Sequence, residues 1–401
     1  MNSRQRILNA INHRPVDRVP VDLGGTRQSG IAVQAYAKLK RHLNMGIDRP
    51  VRVFDLYQML AEIDVEIAER FGSDCIALQR PAVAFGIRND RWKPFTLFDG
   101  TEVEVPHDFS PKCNEQGDWV IQRNGTEIAR MPKDGFYFDR FERYPGALHP
   151  DLDTWEPPRL PDEDLTYYAK QSETLYHNTD KAVIAALGPP YELFNGIGQG
   201  GFTEWMITFG SEPDYVKALY TKIVDVWIEN LRRFREAVGD RIQILQICDD
   251  FGTQQGPFLS VDMFRDLLLP AYQRGLDWVH ANTPWKVLLH SDGAIRPLLP
   301  SIIEMGVDLL NPVQTTATGM DPEILQREFG DKLVFWGGSC DCQGTLTNGT
   351  PREIRCEAQK NLDIFQPEHG GMVFASVHNI QANVPPENIE AIFDAVRDYC
   401  P

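Results

Sequence analysis

Three residues carry the most chemistry in this chain: His290, Asp292 and Cys340. They stand in the short runs His290-Ser291-Asp292-Gly293 and Gly338-Ser339-Cys340-Asp341. Imidazole, carboxylate and thiolate together suit zinc. Three protein ligands leave one position open, and an open zinc ion polarises a bound oxygen or holds a thiol as thiolate. A blander role competes at two of them, a core histidine bonded to backbone at 290 and an inert buried thiol at 340. Cys342 reads as structural, and the spacing is no CxxC pair. Asp249-Asp250 forms a second group. Adjacent carboxylates at a strand end point in different directions, so at most one faces a cavity, as a general acid or base or to orient substrate. The alternative is to accept backbone N–H bonds in a loop. Arg27 and Arg80 offer bidentate guanidiniums to an anionic substrate, or equally salt bridges to Asp249 or Asp250.

These residues need a frame that gathers them from all along the sequence. Short apolar, β-branched runs occur at residues 19–23, 75–78, 182–187, 242–247, 286–289, 309–313, 333–336 and 372–377. Being apolar on both faces, they read as parallel strands buried on both sides. Amphipathic stretches alternate with them at 36–43, 58–71, 213–237, 261–282, 295–305, 322–328, 351–365 and 386–399. Ser260-Val261-Asp262 and Thr350-Pro351-Arg352-Glu353 are helix start signals. Eight such alternations predict a (β/α)8 TIM barrel, an α/β fold. The competing open, doubly wound sheet lacks its GxGxxG turn, since residues 24–27 read Gly-Gly-Thr-Arg. Barrel chemistry sits at the C-terminal strand ends. Those ends supply Arg27, Asp249, Asp250 and Asp292 as candidate catalytic groups. They supply Gln28, Arg80, Glu192, Asn311, Gln314, His378 and Asn379 as candidate substrate-binding groups, and His290, Asp292 and Cys340 as candidate metal ligands, with His378 or Asp249 nearby.

About 100 surplus residues lie at 81–181, inserted between the second and third strands of a single barrel domain, 1–401. Alternation replaces helical period there, and Asp99-Gly100 and Asn124-Gly125 are strong hairpin signals. A Pro- and Asp-rich crossing segment follows at 150–164. The insertion sits at the barrel mouth as a lid or docking surface, or as mere decoration. The chain has 401 residues, 57 acidic against 40 basic, for a net charge of -17. That field argues against nucleic acid or an anionic membrane as partner. No apolar run approaches the roughly 18–20 residues of a membrane span, and the N-terminus has no apolar signal core. Seven scattered cysteines point to a reducing compartment, the cytoplasm.

Residues 247–257, the stretch His290-Ser291-Asp292-Gly293 with 306–314, the run 335–341, the tail 377–388, and the opening 4–7 with 17–21 resemble the uroporphyrinogen decarboxylase superfamily. The resemblance covers nearly all of the chain except the insertion and implies a (β/α)8 barrel. One branch decarboxylates uroporphyrinogen without a cofactor. The other consists of corrinoid-dependent methyltransferases. The decarboxylase motif Arg-Gln-Ala-Gly-Arg-Tyr is matched here by Arg27-Gln28-Ser29-Gly30-Ile31-Ala32, without the second arginine. In the thiol-methylating branch, a His-x-Cys motif and a later Cys bind zinc. Here His290 and Cys340 match, and Asp292 replaces the first Cys. The resemblance therefore implies methyl transfer from a methoxylated or methylated small molecule to a cobalamin held by a partner corrinoid protein, or from methylcobalamin to an acceptor. Zinc is the expected metal, and the demethylating half-reaction of an O-demethylase system is favoured. The alternative is a metal-free, uroporphyrinogen-type decarboxylase. An oligomer is compatible with either.

Overall fold

The computed structural model describes residues 1–141, 149–195 and 201–400. Residues 142–148 of the expected insertion lie outside the described residues. Seven parallel strands form one sheet: Cys75–Leu78, Ala182–Ala186, Ile244–Cys248, Lys286–His290, Leu309–Asn311, Val334–Gly338 and Met372–Ala375, paired in chain order. This is the curled, TIM-barrel-like α/β sheet that the alternation predicts. The eighth expected strand, at 19–23, is not a regular strand. Pro20 has no N–H to donate, and the Gly24-Gly25 turn follows at once. The segment nevertheless takes the eighth place. On one side the Asp22 N–H donates to the Phe374 carbonyl at 2.8 Å, and Val21 bridges Phe374 in parallel. On the other side the Asp74 N–H donates to the Val21 carbonyl at 2.7 Å.

Two buried carboxylates fasten this segment. Asp74, fully buried, accepts from Arg6 Nη1 at 2.7 Å, from both Nη atoms of Arg18, and from the Val21 N–H at 3.1 Å. Asp22, equally buried, accepts from Trp336 Nε1 at 2.9 Å and from the Gly25 N–H at 2.8 Å.

Helices surround the sheet much as the periodicity predicts. Pro351–Phe365 begins with a reciprocal cap, in which Thr350 Oγ1 accepts from the Glu353 N–H and Glu353 Oε2 accepts from the Thr350 N–H. Ser260 Oγ likewise accepts from the Met263 N–H. Proline breaks two of the expected helices. The one at 295–305 divides into a 3-10 turn, Arg296–Leu298, and the helix Leu299–Glu304, with Pro297 and Pro300 at the two starts. The one at 261–282 widens into a π turn over Phe264–Leu268 just before Pro270, which has no N–H to give back. The expected helix at 58–71 is shortened to Val65–Arg70, because Leu60–Ala61 pairs as a strand with Val51–Asp55.

The insertion holds the two expected hairpins. Trp92–Thr96 pairs with Glu102–Pro106 around Asp99-Gly100, and Trp119–Arg123 pairs with Thr126–Met131 around Asn124-Gly125. Asn124 and Gly125 both have positive φ, at 51° and 80°, which matches the twist of a two-residue hairpin. The first hairpin is not self-contained. Glu102–Pro106 pairs in parallel with Val51–Asp55, a strand from before the insertion. Val53, Val105, Phe109 and Met131 belong to the same buried cluster as Val183, Leu245, Leu289 and Phe335 of the barrel. The expected crossing segment at 150–164 leads into a helix, Asp162–Asn178, whose first turn carries Asp162, Glu163 and Asp164. Acidic residues at a helix start complement its dipole. No helix among the described residues is long and apolar enough to cross a membrane.

The Asp22 carboxyl is pushed up to about 6 by burial, against the bonds from Trp336 and Gly25. A carboxyl whose pKa is raised by folding contributes its full stability at low pH and loses it as pH rises through about 6. Denaturant unfolding of the wild type relative to Asp22→Asn should therefore lose ~3 kcal/mol between pH 4 and pH 7, at about 1.4 kcal/mol per unit. A pH-independent difference between the two proteins would contradict this.

Candidate metal centre and flanking cavities

At the C-terminal ends of the strands the fold brings together His290, Asp292 and His378. Asp292 Oδ2 lies 3.8 Å from His290 Nε2 and 3.8 Å from His378 Nε2. Ligand atoms about 2.1 Å from a tetrahedral ion stand ~3.4 Å apart; each histidine is within a few tenths of an ångström of that spacing from Asp292, and the three ligand atoms all lie within 4.8 Å of one another.

Both imidazoles are aimed by asparagines. Asn311 Nδ2 donates to the Trp336 carbonyl at 3.0 Å, which leaves its Oδ1 to accept from His290 Nδ1 at 2.7 Å. Asn379 Nδ2 donates to Gln58 Oε1 at 3.0 Å, and its Oδ1 accepts from His378 Nδ1 at 2.8 Å. Each ring thus carries its proton on Nδ1 and turns the lone pair of Nε2 toward Asp292, the arrangement that metal-binding histidines need. Burial and the neighbouring His290 lower the His378 pKa against the pull of Asp292, which favours the neutral, ligating form. Asp292 itself is placed by a glycine contact. Gly293, at φ 92°, lies so close to Gly252 that a Cβ there would meet its carbonyl carbon at 2.5 Å. The Asp292 N–H donates to Asp250 Oδ1 at 3.0 Å.

The expected trio of His290, Asp292 and Cys340 is therefore not the one the fold assembles. Gly337 and Gly338, both at positive φ, turn the chain at the end of its strand. Cys340 then faces the core, fully buried, and its thiol is pushed up by burial and by Glu357. His378, expected as a substrate group or neighbour, takes the third position. Cys342, expected to be structural, lines a cavity beside Asp292 and His378. Its thiol is pushed up to about 11 by burial and by Asp341 and Asp292. The two cysteines stand two apart in an irregular loop, and their spacing alone holds no signal for which one faces the cavity.

The remaining candidates divide between lining the cavity and holding its wall. Asp249 is buried and accepts four bonds: from the Phe194 and Asn195 N–H groups, Asn195 Nδ2 and Tyr272 Oη, at 2.7–2.9 Å. Burial and Glu192 raise its pKa against these donors, and its work is to position residues 193–195. Asp250 points the other way, with Oδ1 3.9 Å from His290 Nε2. Arg27 is ion-paired with the buried Asp55, whose carboxylate also caps the Tyr57 and Gln58 N–H groups. Gln28 Oε1 accepts from Gln246 Nε2 at 2.8 Å. Gln314 accepts the Gly293 N–H at 2.9 Å and donates to Gln254. Asn311 and Asn379 are buried positioning residues rather than substrate contacts.

Two cavities meet at the His/Asp group, sharing Tyr57, Gln58, Asp292 and His378. One, of about 480 Å³, is lined by Arg27, Arg80 and Arg123, by Val83, Phe85 and Ile128, and by Glu192, Asp250 and His290. The other, of about 610 Å³, is lined by eight carboxamides, Gln58, Gln254, Gln314, Gln343, Asn348, Asn379, Gln381 and Asn383, and by no lysine or arginine.

Zinc titration against a chromophoric chelator separates the two ligand sets. One ion per chain is expected, with affinity at least about tenfold weaker in His378→Ala and in Asp292→Ala and unchanged in Cys340→Ala. Loss of binding in Cys340→Ala alone would restore the thiolate site.

Residues 135–399, more than half of the chain, match the family described as uroporphyrinogen decarboxylase (URO-D). A uroporphyrinogen decarboxylase of Pelodictyon phaeoclathratiforme is 26% identical over 247 residues, 59% of this chain and 66% of that protein. The chain thus spans about two thirds of that relative's length. A uroporphyrinogen decarboxylase of Magnetococcus marinus is 21% identical over 413 residues, 99% of this chain and 97% of its own. A methyltransferase from Methanosarcina mazei shares the fold, with a TM-score of 0.60 at 18% identity over 99% of both chains. By the family match over residues 135–399, the chain belongs to the uroporphyrinogen decarboxylase family of enzymes.

Proposed function

We propose that the protein transfers a methyl group from a methoxylated or methylated small molecule to a corrinoid carried by a partner protein. The observation that carries this reading is the cavity of eight carboxamides without a cation. Uroporphyrinogen is rimmed with carboxylates and would call for guanidinium partners. A corrin ring is rimmed with neutral carboxamides, which pair donor to acceptor with asparagine and glutamine. Methyl transfer by displacement also needs separate places for donor and acceptor, and two cavities that share the His/Asp group support that reading.

A metal held by His290, Asp292 and His378 would act as a Lewis acid toward the ether oxygen. The chain's own groups do the rest. Asn311 and Asn379 hold the imidazoles in register. Asp250, on the same cavity wall and 3.9 Å from His290, is the group placed to hand a proton to the departing oxygen. The shared wall at Tyr57 and Gln58 fixes the boundary between donor and acceptor. The reading keeps the cytoplasm as the compartment, in line with seven unpaired thiols.

The expected result is methylation of added cob(I)alamin by a methoxylated aromatic, followed by the visible spectrum of the corrin. Asp250→Asn should lower that rate about 100-fold or more with little change in KM, as for loss of a general acid. Carbon dioxide release from uroporphyrinogen, with no corrin methylation by any donor, would make the chain a decarboxylase instead.

A further inference from the structure

The 480 Å³ cavity holds three guanidiniums, and only one is committed. Arg27 is paired with Asp55. Arg80, at the end of its barrel strand, has Nε 3.4 Å from the Ala186 carbonyl. Arg123, at the tip of the second insertion hairpin, donates from Nη2 to the Phe85 carbonyl at 3.0 Å. Among the described residues neither forms an ion pair, in a chain with 57 acidic and 40 basic residues. Two arginines from unrelated segments that form no ion pair outnumber the one carboxylate, Glu192, that faces the neighbouring Arg27 in this cavity, and a pair of guanidiniums so placed selects an anion. Val83, Phe85 and Ile128 give the cavity an apolar wall. Asp250, Asp292 and the two histidines form a separate group on the same wall, linked by contacts of 3.8–3.9 Å, with no arginine ion-paired to it among the described residues. The cavity holds both groups, and its volume falls in the ~300–1,000 Å³ range of small-molecule sites.

Resting on the methyl-transfer reading above, we propose that Arg80 and Arg123 bind the carboxylate of the methyl donor, which is a methoxylated aromatic acid. Its anion lies against the guanidiniums, its ring packs on Phe85, and its neutral ether end reaches the His/Asp group. The barrel supplies one arginine and the insertion the other, so the insertion is part of the donor site.

Titration calorimetry without any corrinoid tests this, using 4-methoxybenzoate, 3,4-dimethoxybenzoate and the methyl ester of the latter. The wild type should bind the acids one per chain and more tightly than the ester. Arg80→Ala and Arg123→Ala should each weaken acid binding about tenfold or more, with Arg123→Lys partly restoring it. Ester binding and the thermal melt should be the same in all variants, which a merely structural role would not give. Absence of acid binding to the wild type, acid binding unchanged in both alanine variants, or ester binding as tight as acid binding would overturn the proposal. Arginine-dependent acid binding with no methyl transfer to cob(I)alamin would leave this site standing and overturn the methyl-transfer reading. Methyl transfer from neutral ethers without acid binding would do the reverse.

Discussion

Closure of the sheet depends on two carboxylates that have no access to water. The segment at 19–23 has a proline where a strand needs a donor, and two glycines, Gly24 and Gly25, end it at once. Backbone pairing holds it only at Pro20, Val21 and Asp22. Asp74 ties it to the first helix through Arg6 and also binds Arg18, and Asp22 ties it to Trp336, one strand beyond Met372–Ala375. A buried carboxylate with several charge-assisted donors is strongly directional, and removing one partner leaves an uncompensated charge. With this segment held against Met372–Ala375, its continuation at Arg27 and Gln28 joins His378 in one cavity.

The same economy of partners shapes the centre. Neither histidine is aimed by packing alone. Each spends its Nδ1 proton on an asparagine carbonyl, and each asparagine is turned by a second acceptor, the Trp336 carbonyl or Gln58. Gln58 belongs to the loop that the Asp55 carboxylate caps, and Asp55 also holds Arg27. The orientation of His378 is thus linked by hydrogen bonds to the small sheet that the insertion completes. The insertion shares a core with the barrel and supplies Arg123 to the cavity wall.

The barrel was legible because its signal is long and repeated. Buried strands of four or five apolar residues followed by amphipathic helices leave few other folds open. The rim was legible as a set of strand ends, and His290, Asp292, Asp250 and Arg80 stand where that rule puts them. What sequence could not resolve was direction. Asp249 and Asp250 are chemically identical neighbours, and only the positions of Phe194, Asn195 and Tyr272 decide which one faces inward. Cys340 and Cys342 differ by one turn of a loop whose course is set by the φ values of Gly337 and Gly338. Arg123 carried no signal at all, because a hairpin arginine is ordinarily solvated and its reach to Phe85 is a tertiary fact.

The exchange of cysteine for Asp292 and His378 bears on chemistry as well as geometry. Thiolate ligands donate charge to a metal and suit it to holding a second thiolate. Two imidazoles and one carboxylate would leave it more electrophilic, with hard oxygen as the matched ligand. Cys342, an unused sulfur that lines the cavity beside the group, is held well toward the protonated thiol by burial and by two carboxylates. A centre of this composition is better built to take electron density from an ether oxygen than to activate a thiol acceptor.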